Sequence, residues 1–115
     1  MQGIVVPHFA NQLKRYSKKY RSLKDDLIGL LEFFVPGQHQ SLGRGLYKAR
    51  LRVRSIARGK SASFRIIILL VNRESVIVPV SLYFKGDRED MTEQEINSHL
   101  EVVLFELRRE GVCPV

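Results

Sequence analysis

The chain has 115 residues, of which 44% are apolar and 27% are charged, and its net charge is +7. This length predicts one domain with a single core, and no apolar run approaches the roughly 20 residues that cross a bilayer. The N-terminus does not resemble a signal peptide, the single cysteine (Cys113) excludes an internal disulfide, and the three histidines are dispersed, so we expect a cytoplasmic protein without a metal or other cofactor.

Two helices are predicted in the first third of the chain. A short apolar stretch, "GIVV", can form an opening strand that ends at Pro7, which cannot donate to a strand ladder. Apolar residues then recur at helical spacing from Phe9 to Tyr20. The segment "SLKD" predicts a capping box with Ser22 as the N-cap of a second helix, and we expect a loop over "VPGQHQSLGRG". The short connection between the two helices predicts a helical hairpin.

Three strands are predicted next. Residues 46–54 alternate between apolar and charged side chains. Residues 63–71 are apolar on both faces apart from Arg65, so we expect this strand at the centre of the sheet, covered on both sides. Residues 76–84 contain Pro79, which favours an edge strand or a bulge. The connections are too short for crossover helices, so the strands are expected to pair antiparallel.

The last predicted helix has a well-marked beginning and end. In "MTEQEI", Thr92 is the expected N-cap and Glu95 completes a capping box, while Gly111 ends the helix. Together the elements predict a single α+β domain over residues 1–115. An N-terminal helical hairpin packs on a three- to four-stranded antiparallel sheet, and a C-terminal helix completes the fold.

The strand predicted over residues 46–54 separates apolar from charged side chains. One face holds the apolar residues that must meet the helices, and the other face holds four cations: Lys48, Arg50, Arg52 and Arg54. Neighbouring cations on that face lie about 6.6 Å apart, close to the spacing of phosphates in an extended nucleic-acid strand. One or two such charges would protect an edge strand from aggregation, but four in series exceed that need. The row therefore predicts contacts with the backbone of a nucleic acid.

The distribution of charge along the whole chain points to the same partner. Residues 1–73 contain 15 lysines and arginines against three acids, a net charge of +12, whereas residues 74–115 have a net charge of −5. Eight cations and no acid lie from Arg44 to Arg65. This asymmetry is typical of proteins that bind a polyanion, and the alternative is a solvated basic surface that keeps the chain soluble.

Further cations follow the basic strand. The loop "SIARGKSAS" presents Arg58 and Lys60 to a phosphate, although it lacks the first glycine of a P-loop. Arg65 begins an apolar strand, and a partly buried guanidinium normally has an anion to bind. That anion is either a ligand or an acid of the chain such as Glu74 or Asp90.

The last predicted strand contributes Tyr83 and Lys85. The tyrosine either contacts RNA, by stacking on a base or bonding a phosphate, or packs in the core. His39 falls in a loop and His99 on the flank of a helix, so a paired-histidine ribonuclease mechanism is not supported. The carboxylates concentrate around the last helix, and nothing indicates a glycosidase or a two-metal site.

Three segments of the sequence resemble the RelE/HigB branch of the RelE/ParE superfamily of bacterial type II toxins. They are "HFANQLKRYSKKYRSLKDDLIGLL", "LYKARLRVRSIARGKSASFRIIILLV" and "VIVPVSLYFKGDREDMTEQEI", which cover most of the chain in the same order. The most specific pieces are "YFKGDREDMT" and the turn formed by Gly59, Lys60 and Ser61 that leads to Arg65.

The resemblance implies a RelE-like fold and an mRNA interferase that cuts messenger RNA in the ribosomal A site. It also implies an antitoxin partner and a reaction without metal, in which the 2′-hydroxyl attacks the adjacent phosphate and leaves a 2′,3′-cyclic phosphate. By position, Arg65 would stabilise the phosphorane, and Lys60 would act as the base or as a second electrostatic contact. Lys85 would protonate the leaving group or stabilise its charge, and Arg54 and Arg58 would hold flanking phosphates.

One departure from the family pattern affects the acid–base assignment. The well-studied members carry a tyrosine or histidine late in the chain that contacts RNA, and here only Tyr83 is available. Two alternatives stay open at this point. One is a ParE-like gyrase inhibitor, and the other is a non-catalytic RNA-binding or phage-derived accessory module.

Overall fold

The structure is a computed structural model that describes residues 2–55, 63–71, 73, 75–88 and 90–112. Its three helices are α1 (Pro7–Ser17), α2 (Leu23–Glu32) and α3 (Glu93–Arg109), and a 3₁₀ turn covers Pro36–Gln38. The strands are β1 (Gln2–Gly3), β2 (Gln40–Gly43), β3 (Leu46–Arg52), β4 (Ser63–Val71) and β5 (Val76–Phe84). Among the described helices, none has the length and hydropathy that a membrane crossing requires.

The five strands form one mixed sheet in the order β1-β5-β4-β3-β2. The pairs β2/β3, β3/β4 and β4/β5 are antiparallel, whereas β1 runs parallel to β5. The predicted α+β fold is confirmed, with two differences from the expected sheet. It is mixed and not purely antiparallel, because β1 pairs parallel to β5, and it has one strand more than the expected maximum. The additional strand is β2, which lies in the segment predicted as a loop. It was missed because its four residues are mostly exposed and carry no apolar alternation.

The central position of β4 follows from its composition. Its even-numbered residues pack with helices α1 and α2, in a cluster that includes Phe64, Ile66 and Phe9. Its odd-numbered residues from Ile67 onward pack in a second cluster with helix α3, which contributes Val103 among others. The prediction of a central strand buried on both faces is therefore confirmed. Helices α1 and α2 lie on one face of the sheet and α3 on the other.

Two local expectations have different outcomes at the helix starts. At α3 the predicted capping box is present, because the Thr92 side chain accepts from the backbone N–H of Glu95 and the Glu95 side chain accepts in return. At α2 the expected capping box is wrong, since the Ser22 side chain makes no cap hydrogen bond. Its hydroxyl donates instead to Asp26 Oδ2 at 2.7 Å, so Ser22 occupies the N-cap position without accepting a hydrogen bond from the backbone of the helix.

The bulge expected at Pro79 is present in β5. Ile67 pairs with Ser81 and Ile68 pairs with Pro79, so the ladder between β4 and β5 shifts register at this point. A proline has no N–H to give to the ladder, and an irregular pairing accommodates it.

The turn that connects the edge strand β2 to β3 has an unusual backbone conformation. Gly43, Arg44 and Gly45 all have positive φ angles, of 82°, 56° and 78°. The carbonyl of Gly45 accepts a hydrogen bond of 2.9 Å from the N–H of Leu70. A Cβ atom at Gly45 would lie 2.9 Å from the carbonyl oxygen of Leu70. A side chain at this position would therefore be strained in its φ angle and in its contacts.

We expect Gly45→Ala to lower the free energy of unfolding by about 1–3 kcal/mol, because the left-handed backbone and the close approach to Leu70 both disfavour a Cβ. Gly29→Ala is the matched control, since Gly29 lies in α2 and a Cβ there meets no atom within 4 Å. It should stabilise the chain by about 0.5–1 kcal/mol. Urea unfolding measures both, and equal midpoints for the two variants would contradict this account of the turn.

Candidate nucleic-acid interface

The cations of β3 and β4 lie on the same face of the sheet as helix α3. Arg50 of β3 is directly opposite Arg65 of β4, and Arg65 is directly opposite Tyr83 of β5. Directly opposite residues in antiparallel strands share a face. Lys48 and Arg52 have the same parity as Arg50, so they share that face too. We call these five residues the basic face: Lys48, Arg50, Arg52, Arg65 and Tyr83.

Helix α3 covers only part of this side of the sheet. Ile67 and Leu69 are buried beneath it, whereas Arg50 and Arg52 are exposed and Arg65 is half-buried. The guanidinium of Arg65 donates from Nη1 to Ser63 Oγ at 2.8 Å. This bond fixes the side chain near the margin between core and solvent.

The central feature of the basic face is a pair of like charges. Side chains directly opposite each other in an antiparallel pair have Cβ atoms about 4.5–5.5 Å apart, and like charges in such pairs repel. Burial and the charge of Arg50 both lower the pKa of Arg65, while Tyr83 and Asp90 act in the opposite direction. Within the described ranges, no acid forms an ion pair with Arg50, Arg52 or Arg65. The repulsion is therefore offset only in part, by Tyr83 and Asp90, and no described acid pairs directly with either arginine.

Asp90 organises one margin of the basic face. It accepts hydrogen bonds at Oδ1 from Lys48 Nζ at 2.9 Å, from the hydroxyl of Tyr83 at 3.0 Å and from the N–H of Met91 at 2.8 Å. The bond from Lys48 is the main cause that lowers the pKa of Asp90. The sequence suggested Asp90 as a partner for Arg65, but its ion pair is with Lys48. Glu74, the other suggested acid, lies outside the described residues.

Tyr83 is the buried member of the basic face, and its hydroxyl bonds Asp90 at the margin of that face. Only 3% of it is exposed, and its ring packs in the α3 cluster. The guanidinium carbon of Arg88 lies 5.8 Å from the ring centre. Burial, followed by the hydrogen bond to Asp90, raises the pKa of Tyr83 to about 12. Of the two alternatives for this residue, core packing is the one that the structure has, so the ring face is not open for stacking.

The expectation that Arg54 continues the row of cations is wrong. Strand β3 ends at Arg52, and Arg54 Nε donates to Asp26 Oδ1 of helix α2 at 2.6 Å. The backbone N–H of Arg54 donates to the other oxygen of Asp26 at 2.9 Å. Although burial acts to raise it, the pKa of Asp26 is lowered by hydrogen bonds from Ser22 and Arg54. The chain leaves the sheet after Arg52 because Asp26 and Ser22 accept hydrogen bonds from the backbone N–H groups of Arg54 and Ser55. The alternation of residues within β3 gives no sign of these contacts with α2.

The remaining predicted site residues are placed only in part. Lys85 follows β5, is half-buried, and its backbone N–H donates to the carbonyl of Ser63 at 3.0 Å. The end of β5 therefore lies beside the start of β4, where Arg65 is found. Arg58 and Lys60 fall in residues 56–62, outside the described part of the chain.

Two histidines that are far apart in sequence meet in the fold. His8 Nε2 and His99 Nδ1 are 2.7 Å apart, in a partly buried contact between α1 and α3. Burial, and then the neighbouring His8, lower the pKa of His99. The sequence treated the histidines as dispersed, because the contact spans 91 positions. Neither histidine belongs to the basic face, and the contact joins two helices.

Comparisons with known proteins agree with this architecture. A family model described as the RelE toxin of the RelE/RelB toxin–antitoxin system matches residues 8–108. The chain therefore belongs to the RelE toxin family, and the resemblance seen in the sequence is confirmed. It is a toxin of a toxin–antitoxin system, and the family implies an antitoxin as its partner.

A solved structure of the Escherichia coli toxin RelE, an arginine-to-alanine double mutant in the free state, is similar in fold. The TM-score is 0.52 at 14% sequence identity, and the match covers 94% of this chain and 95% of the other. At this identity the likeness establishes the fold, and the predicted RelE-like architecture is confirmed. A comparison with curated protein sequences finds no match.

We expect the phenol of Tyr83 to titrate at about pH 12 in the folded chain, because of its burial and its bond to Asp90. Since the ordinary value is 10.0, this group's contribution to stability is complete below about pH 10 and is lost as the pH rises toward 12. NMR of chain labelled with ring-¹³C tyrosine measures the titration. Asp90→Asn removes the adjacent charge and should lower the pKa of Tyr83, and an unchanged value would rule out the influence of Asp90.

Proposed function

We propose that this toxin is an endoribonuclease that cuts messenger RNA on the ribosome without a metal ion. The observation that carries the proposal is the pair formed by Arg50 and Arg65, which lie directly opposite each other in the register of β3 and β4, and neither of which forms an ion pair with a described acid. Such an arrangement is unfavourable in the free protein and becomes favourable when a phosphate lies between the charges. Membership of the RelE family supports an RNA substrate, because toxins of that family cleave messenger RNA.

The proposed reaction takes its nucleophile from the substrate. The 2′-oxygen attacks the adjacent phosphorus, the bond from phosphorus to the 5′-oxygen breaks, and the products are a 2′,3′-cyclic phosphate and a free 5′-hydroxyl. One proton leaves the 2′-hydroxyl and one is added to the departing 5′-oxygen. Negative charge grows on the phosphorane between these events, so preorganised cations accelerate the reaction.

Arg65 is the residue that we assign to the phosphorane. It is half-buried, it is fixed by Ser63 Oγ at 2.8 Å, and its charge is therefore less screened than that of an exposed side chain. Arg50, directly opposite Arg65 in the register, would contact a second oxygen of the same phosphate. Arg52 and Lys48 extend the face along β3 with about 6.6 Å between neighbours, a spacing that suits successive phosphates.

The proton transfers are assigned to lysines that the family pattern suggests. Lys60 would act as the base or as a second electrostatic contact, and Lys85 would serve the leaving oxygen. The position of Lys85 beside Ser63 supports its part of the assignment.

We expect Arg65→Ala to lower the rate of cleavage by about 10²–10³-fold, the usual cost of removing one group that stabilises an oxyanion. Arg108→Ala is the matched control, because Arg108 is an exposed arginine in the last turn of α3, at the other end of that helix from Asp90. The measurement is cleavage of message on purified ribosomes, followed by mapping of RNA 5′ ends. Cleavage by folded Arg65→Ala at the parental rate would refute the role of Arg65.

The same assay separates the proposed activity from the two alternatives. A gyrase inhibitor would arrest replication and leave the RNA intact. A non-catalytic RNA-binding module would bind RNA without producing new 5′ ends. Cleavage within translated codons is the result that we expect.

We expect Arg52 and Arg54 to differ in the salt dependence of RNA binding. Arg52→Ala should reduce the slope of log K against log salt by about 0.7, the value for one phosphate contact to a single strand. Arg54→Ala should leave this slope unchanged and should lower the urea midpoint, because Arg54 bonds the partly buried Asp26. Binding of a single-stranded RNA at several salt concentrations tests both variants, and equal slopes for the two would contradict the proposed path of the RNA.

A further inference from the structure

A pair of histidines outside the basic face joins the two helical layers of the molecule. His8 Nε2 of α1 and His99 Nδ1 of α3 are 2.7 Å apart, and the centres of the two rings are 5.0 Å apart. Both residues are half-buried. Helices α1 and α3 pack on opposite faces of the sheet, and both contact β5 as well as each other. The contact between the histidines therefore ties one layer of the fold to the other.

A second polar link lies beside the histidine pair. The backbone N–H of His8 donates to Glu106 Oε1 of α3 at 2.9 Å. This N–H belongs to the first turn of α1, where the helix has no side-chain cap and no acid of its own. An anion at this end of a helix satisfies a free N–H and interacts favourably with the helix dipole. Arg109 and Glu110, with charges of opposite sign, line the cavity next to Glu106. The link through Glu106 does not depend on the protonation of either ring.

The contact between the two rings depends on the number of protons that they carry. A hydrogen bond between imidazole nitrogens needs one N–H and one lone pair. Two neutral rings provide them, and so do one neutral and one charged ring. When both rings are charged, both nitrogens carry a proton, so the bond is lost and the like charges repel. The pair therefore accepts one added proton and opposes the second.

We propose that the contact between His8 and His99 is a pH-sensitive switch, which holds α1 and α3 together at neutral pH and lets the two rings separate in weak acid. Histidine is the side chain whose charge ordinarily changes between pH 5 and 8, whereas carboxylates ordinarily titrate at about pH 4. Weak acid therefore acts on this contact and leaves the link through Glu106 charged. The inference rests on the contact between the helices and not on the proposed RNA cleavage.

The surroundings of the pair determine the direction of the pH dependence. Burial, and then the neighbouring His8, lower the pKa of His99; Arg88 acts in the same direction and Glu95 in the opposite one. Strand β5, which both helices contact, has no residue that titrates between pH 5 and 8. Since His99 binds a proton less readily in the folded chain than in the unfolded one, its contribution to stability is complete above the ordinary value of 6.5 and is lost as the pH falls below it.

The first test is urea unfolding of the full chain at about pH 7.5 and about pH 5.5. We expect the equilibrium constant for folding to be roughly threefold to tenfold lower at the acid pH, the usual net value of one hydrogen bond expressed as a ratio. His8→Gln should remove most of this difference, because an amide can donate to a neutral His99 ring and accept from a charged one.

His39→Gln is the matched control for this test. His39 is the third histidine of the chain, and its ring stacks on Phe34, outside the contact between α1 and α3. This variant should therefore keep most of the pH dependence of the parental chain. The same pH dependence in the parental chain and in His8→Gln would overturn the proposal, as would its loss in His39→Gln alone.

The second test observes the contact in the parental chain, so it does not depend on the folding of a variant. A hydrogen bond between two nitrogens transmits a scalar coupling that NMR of ¹⁵N-labelled chain detects. We expect a coupling between His8 Nε2 and His99 Nδ1 at about pH 7.5, and we expect it to disappear at about pH 5, in buffers that contain EDTA to keep divalent metal ions from the rings. The absence of a coupling at both pH values would overturn the proposal. A coupling that persists in acid, or two independent titrations at the ordinary value of 6.5, would overturn it as well.

Discussion

The antiparallel register between β3 and β4 is the constraint on which the rest of the molecule depends. Strand β4 is buried on both faces, so each of its nine residues is fixed in one of two layers. Its pairing with β3 then brings Arg50 opposite Arg65 and leaves Ala49 and Leu51 beneath the helices. A slip of one residue would move the arginines into the apolar layer. The burial of the apolar residues of β3 on one face of the sheet therefore keeps the cations of this strand in a row on the other face.

The sheet gives the toxin two surfaces with different chemistry. On one side α3 covers the apolar part of the sheet and leaves the arginines open to solvent. On the other side α1 and α2 cover the sheet completely enough to bury Phe64 and Ile66, but leave a groove between themselves. The first surface carries the cations of β3 and β4, and the second has an apolar floor bordered by lysines. The same strands support both surfaces, which lie on opposite faces of the sheet.

Much of this arrangement was predictable from local patterns. The alternation in β3, the double-sided apolar character of β4 and the capping box of α3 are properties of short segments, and each was confirmed. The features that were missed arise between distant segments. The path of the chain at Arg54 is determined by Asp26, and the contact between His8 and His99 joins two helices. Likewise, an opening strand was expected, but its parallel pairing with β5 joins the first and last strands of the chain and leaves no local pattern. Alternation places Tyr83 on a face, but it cannot show that the ring is covered there.

The crowding of Arg50 and Arg65 has a consequence for the free protein. Two cations that face each other destabilise the folded chain, and no described carboxylate forms an ion pair with either of them. An anion that occupies the space between them binds the folded state and not the unfolded one, so it shifts the folding equilibrium by mass action. Simple oxyanions such as sulfate or phosphate would act in this way, and the melting temperature would then depend on the buffer in which the toxin is dissolved.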